Sequence, residues 1–110
     1  MDTLDQYRDV VYKILSQYTP LMSQSGITST VIISEDRNHF IVINEGWEGK
    51  RRIHNLVFHA EFRDRKLWIH HDGIDHGITE ELVAAGIPKD QIVLAFHPPH
   101  IRQHTGYAVA

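Results

Sequence analysis

The chain has no cysteine among its 110 residues. This excludes a disulfide framework, a thiolate zinc cage and a cysteine nucleophile, so the fold must rest on packing alone, as suits a reducing, cytoplasmic compartment. Long apolar runs are missing too. None approaches the roughly 18 residues that span a bilayer, and Met1-Asp2-Thr3-Leu4-Asp5 is acidic where a secretory signal is basic, so neither export nor membrane insertion is expected. Excess positive charge is also lacking. Eleven Lys and Arg against fourteen Asp and Glu give a formal charge of −3, which removes the global attraction to phosphates that drives non-specific nucleic-acid binding. There is no Gly-rich phosphate loop, linker, repeat or low-complexity stretch. Ser16, Ser23, Ser25, Ser29 and Ser34 all lie outside any Gly-x-Ser-x-Gly elbow, so nothing suggests acyl or phosphoryl transfer.

What is present describes one soluble domain spanning residues 1–110. The composition, 42% hydrophobic and 23% charged, is that of a globular chain large enough for one core and too short for two. Leu4, Tyr7, Val10 or Val11, Ile14, Leu15 and Tyr18 recur at helical spacing; Asp2 or Thr3 is placed to cap this helix and Pro20 to stop it. Strands follow at Thr28 to Ser34 and Phe40 to Ile43, joined by the polar turn Glu35-Asp36-Arg37-Asn38. From Ile53 to Phe62 the alternation sets His54, Leu56, Phe58, Ala60 and Phe62 on one face, with Asn55, Val57, His59 and Glu61 on the other. Asp64-Arg65 turns the chain into Lys66 to His71. These four strands form an antiparallel meander with the helix across one face.

A second helix starts at Thr79, with Thr79 as cap, Glu80 and Glu81 at its positive end and Ile78 stapling to Val83. Gly86-Ile87-Pro88 stops it, with Gly86 left-handed and Ile87 folded back on Leu82. A strand from Gln91 to Phe96 and an ordered tail ending in Tyr107-Ala108-Val109-Ala110 complete an α+β fold.

Nine histidines invite a metal, yet no His-x-x-x-His or His-Glu-x-x-His run exists. His54 and His59 fall on opposite faces of a regular strand, as do His70 and His71. A cross-strand pair of His59 with His70, joined by Asp72, is the best ligand set available; no metal or cofactor is expected. Glu48-Gly49-Lys50 and Asp64-Arg65-Lys66 contain acid and lysine but lie in turns, which argues against a metal nuclease. Trp47 and Trp68 are the large aromatics. Trp68 shares a face with His70, opposite Leu67 and Ile69, so it points to a second surface that could face a partner or another copy of the chain.

Read as a string, Gly46-Trp47-Glu48-Gly49-Lys50-Arg51-Arg52-Ile53-His54 and Lys66-Leu67-Trp68-Ile69-His70-His71-Asp72-Gly73 resemble the XisI family. So does the run from Gly77 through Leu94, followed by Phe96-His97-Pro98-Pro99, Arg102, Thr105 and Tyr107-Ala108-Val109-Ala110. The resemblance extends from Tyr7 onward. It departs at His70-His71 and Ile74-Asp75-His76, where the family more often carries other residues. The family is named for a factor controlling excision of the fdxN element, in which a separate recombinase cuts.

The resemblance implies a non-enzymatic accessory protein working beside an XisH-like companion of nuclease-like sequence. It also carries a candidate partner surface onto Trp47, Gly49, Lys50, Arg52, His54, His59, Asp72, Gly73, His97, Pro98 and Arg102, to which Trp68 is added; Gly49, Gly73 and Pro98 also serve backbone geometry. A toxin–antitoxin-like pairing makes nearly the same demands on this surface. Two rival readings are a metal-dependent hydrolase using His54, His59, His97 and Asp72, and a DNA-binding regulator acting through Lys50, Arg51 and Arg52.

Overall fold

Residues 3–74 and 77–110 are described by the computed structural model. Helix α1 (Thr3–Met22) buries Val11, Ile14 and Leu15, with Leu4, Tyr7, Val10, Tyr18 and Met22 packed beside them, as the 3.6-residue spacing requires. Asp2 lies outside the described residues, and Thr3 is already helical. Pro20 sits inside the last turn instead of ending the helix. A proline there removes only its own N–H, and the Thr19 carbonyl still accepts from the Ser23 amide at 3.0 Å and hydroxyl at 2.9 Å, so the chain leaves the helix two residues later.

Strands β1 (Ile27–Ile33), β2 (His39–Glu48), β3 (Arg51–Arg63) and β4 (Lys66–Asp72) form the antiparallel meander. The β3–β4 hairpin turns on Asp64 and Arg65, at φ 52° and 64°, the pair of positive angles that matches strand twist in a two-residue loop. Strand β2 runs five residues past the expected Ile43. Gly46 allows this: the Trp47 amide reaches the Gly26 carbonyl at 2.8 Å, and a Cβ on Gly46 would lie 1.8 Å from that same oxygen. After helix α2 (Thr79–Ala84), a 3₁₀ turn over Lys89–Gln91 leads into β5 (Ile92–Leu94). This strand adds in parallel beside β4, giving a five-stranded sheet in the order β1-β2-β3-β4-β5.

The face alternation read from the sequence holds for only half of β3. Phe58, Ala60 and Phe62 are buried, but so are Ile53 and Val57, while Leu56 is 45% exposed. The register explains this. Val42 pairs with Phe58 and Ile43 with Leu56, which leaves Val57 as the extra residue of a β-bulge. A bulge exchanges the faces on either side of it. A second irregularity pairs His59 with His71 and Ala60 with Ile69, so His70 is the extra residue on β4.

The core lies on one face only. Phe40, Val42, Phe58, Ala60, Leu67, Ile69 and Ile92 meet Val11 and Leu15 of α1 and Ile78 and Leu82 at α2. Thr79 does not cap α2 with its own side chain. Instead the Asp72 carboxylate accepts from the Ile78 amide at 3.0 Å and the Thr79 hydroxyl at 3.2 Å, because the sheet carries this acid to the helix start, where negative charge is favoured. At the other end Gly86 has φ 118° and the Ile87 amide returns to the Leu82 carbonyl at 3.1 Å.

The tail is docked. Beyond the one-turn helix α3 (Pro99–Arg102), Tyr107 packs on the core and Ala108 bridges Val93. The smallest dimension of the molecule is 24 Å, enough for one helix layer on one sheet layer; a third layer would add about 10 Å. Among the described residues no helix is long and apolar enough to cross a membrane.

Candidate functional site

Because both longer helices lie on the same side, the opposite face of the sheet is open. Its composition follows from the register. Across the middle run Ile32 and Ile41, paired side by side, and Ile43 opposite Leu56. Ile32 is 43% exposed, and Ile41 and Ile43 are half-buried by their neighbours. The signal in the sequence was the run Phe40-Ile41-Val42-Ile43: a strand apolar on both faces buries one and leaves the other needing cover.

Each end of this aliphatic strip carries a tryptophan with an arginine on it. At one end Trp47, 55% exposed, lies under the Arg52 guanidinium at 5.6 Å, and Arg52 also donates to the Glu45 carboxylate at 2.6 Å. At the other end Trp68 has Arg63 at 4.9 Å and Arg102 at 5.6 Å from its ring, and its indole N–H donates to the Arg63 carbonyl at 3.1 Å. Contact with the ring faces holds these guanidinium groups in place while leaving N–H donors available for hydrogen bonds.

Beside Trp68 sits a cluster of His39, His59, His70 and Glu61. His39 Nδ1 and His59 Nε2 are 3.1 Å apart, and the His59 and His70 rings lie tilted with centroids 4.8 Å apart. His70 Nε2 and Arg63 reach the Glu61 carboxylate at 2.9 and 2.8 Å. The expected pairing of His59 with His70 is therefore present, brought about by the bulge at His70, but the carboxylate beside it is Glu61, since Asp72 is engaged at α2. Burial, followed by the charges of His70 and His39, lowers the pKa of His59. Burial works to raise Glu61, yet the hydrogen bonds from His70 and Arg63 outweigh it and hold that carboxyl below its usual range. These contacts run as a chain along the face. Among the described residues no three His, Asp or Glu side chains converge as a metal ion would need, and that holds for the set His54, His59, His97 and Asp72 as well.

Of the residues singled out in the sequence, Trp47, Arg52, His54, His59 and Trp68 share the open face, and Arg102 borders it. Lys50 is exposed at the tip of the β2–β3 hairpin, beyond Trp47. His97 lies past β5 with its ring 4.6 Å from that of Phe96. Arg102 also ties the tail down, donating to the carbonyls of His97 at 2.9 Å and Ala95 at 3.4 Å. Asp75 and His76 lie outside the described residues. His39, Glu61, Ile41 and Leu56 were not singled out, and only the pairing of strands places them in the site.

On the helix side, Tyr18, Leu21, Met22, Gln24, Asn44 and His71 are among the residues lining an open cleft of about 660 Å³. It is lined mainly by carboxamide and apolar groups.

The family model described as XisI protein matches residues 1–109. Among solved structures, a XisI-like protein from Anabaena variabilis is 36% identical, with 98% of this chain and 100% of that one covered at a TM-score of 0.89. The fdxN element excision controlling factor XisI of the same organism is 32% identical, with 99% and 100% covered at 0.84. Among curated proteins none is significantly similar.

Proposed function

The chain thus belongs to the XisI family, and from that premise we propose that it is a cytoplasmic accessory factor controlling excision of a DNA element. In this reading it acts without cutting DNA, by binding an XisH-like companion of nuclease fold. One solved relative is an fdxN element excision controlling factor, which supports the task. The open sheet face supports the means: an aliphatic strip flanked by tryptophan and arginine is the composition that anchors protein partners. An acidic chain favours holding a protein over gripping a duplex. Trp47, Lys50, Arg52, His54, His59, Trp68 and Arg102 are the residues assigned to contact. Asp72 and His97 contribute by shaping the elements behind them.

The test is co-purification with the protein encoded beside this chain, followed by light scattering of the complex and of each component. A stoichiometric complex is expected. Two folded proteins that elute separately at micromolar concentration would refute the reading.

A further inference from the structure

Charge is unevenly placed on this molecule. On the open face the register and ring contacts place Arg52, Arg63, Lys66 and Arg102 as cations and, among the described strand residues, Glu45 and Glu61 as anions. Both anions are already paired, Glu45 with Arg52 and Glu61 with Arg63 and His70. Lys66 and Arg102 have no carboxylate partner among the described residues. The chain as a whole is negative, and the balance includes Asp5 and Asp9 on α1, paired with Arg8 and Arg37, Glu80 and Glu81 on α2, and Asp64 and Asp90 in loops, while Glu35 and Asp36 lie in the β1–β2 turn beside His39 at the margin of this face. The open face thus carries an excess of cations around an apolar centre.

We infer that the open face docks an acidic protein surface with an apolar centre, and that the occupant is neither a second copy of this chain through the same face nor nucleic acid. This rests on the partner-binding reading above and adds to it the surface used and the chemistry of what it meets. Pairing two open faces about a two-fold axis would set Arg52, Arg63, Lys66 and Arg102 against the same cations of the other copy, and like charges brought together in an interface disfavour association. Nucleic acid fits poorly for a different reason. Ile32, Ile41, Ile43 and Leu56 occupy the centre, where phosphates gain nothing from aliphatic contact. A protein surface with carboxylates at its rim and apolar residues at its middle satisfies both features at once. The rim sets approach and orientation, and the centre supplies hold.

The experiment titrates the companion protein against the full chain by calorimetry, at about 50 mM and about 500 mM salt, where exposed charges are weakly and strongly screened. Three single variants accompany the wild type: Arg52→Glu and Leu56→Glu on the open face, and Asp9→Lys on α1. Circular dichroism and a thermal melt check each fold, and Arg52→Glu, on an exposed side chain, carries the test should Leu56→Glu unfold.

Arg52→Glu and Leu56→Glu are each expected to weaken binding about tenfold or more, high salt to weaken the wild type, and Asp9→Lys to stay within about twofold. A wild type that binds while all variants bind equally would overturn the assignment of this face and leave the partner reading standing. A wild type that does not bind at all would overturn both. A lone chain that light scattering finds dimeric and Leu56→Glu makes monomeric would give the face to a second copy. Tight, salt-sensitive binding of a labelled DNA duplex abolished by Arg52→Glu would give it to nucleic acid. Either of these last results rejects the inference.

Discussion

At the residue scale, two acidic groups show how the same chemistry is put to different uses. Asp72 ends β4, and its carboxylate takes the Ile78 amide and Thr79 hydroxyl at the start of α2. Asp72→Ala should therefore cost about 1–2 kcal/mol, the usual loss when a helix-start acceptor is removed, with the midpoint of urea unfolding as the check and Asp72→Asn recovering part of it. Glu61 instead stands among His39, His59, His70 and Arg63 on the open face. The lowered pKa of His59 fixes the sign of a pH effect. Below about 6.5 the unfolded chain takes up a proton that folded His59 resists, so its contribution is full above that value and is lost as pH falls through the lowered native pKa. Glu61, held below its ordinary 4.5, adds a loss in the same direction at lower pH. The thermal midpoint should fall between about pH 7.5 and about pH 5.5, and fall less in His59→Gln; an equal or steeper fall in that variant would count against this origin.

At the scale of elements, the parts legible in the sequence were those whose signal is local. The periodicity of α1, the polar turn at Glu35 to Asn38, the tight turn at Asp64-Arg65 and the Gly86-Ile87-Pro88 stop each depend on neighbours within a few residues. The bulges at Val57 and His70 were not legible, because a bulge is a relation between two strands. Strict alternation from Ile53 to Phe62 predicts one buried face, and only the register against β2 shows the faces exchanging at Val57. The tail belongs to this scale as well. The Ala108 amide donates to the Ile92 carbonyl at 2.9 Å, and Tyr107 packs on the core under the Lys89 ammonium at 5.5 Å, so the last residues cover the otherwise free side of β5. Tyr107→Ala should cost about 2 kcal/mol for a half-buried aromatic, measured by chemical unfolding. An unchanged midpoint would mean that the tail lies on the sheet without supporting it.

For the whole molecule, the decisive fact is that both longer helices cover the same face. The sequence by itself determined the elements, the antiparallel meander, the apolar stripe of α1 and the XisI-like strings, because hydrophobic period, turn chemistry and helix-stop residues act over short distances along the chain. It placed Trp68 on a second surface, opposite Leu67 and Ile69. It did not gather the site. Trp47 and Trp68 are twenty-one positions apart and Arg102 another thirty-four, and one face unites them only once β2, β3 and β4 pair and α3 folds back beside Trp68. Asp72 turns to the start of α2 and Glu61 stands beside His70 for the same reason: side-chain company across a sheet is set by register and bulges, which cross-strand hydrogen bonding and core packing decide together and no single segment encodes.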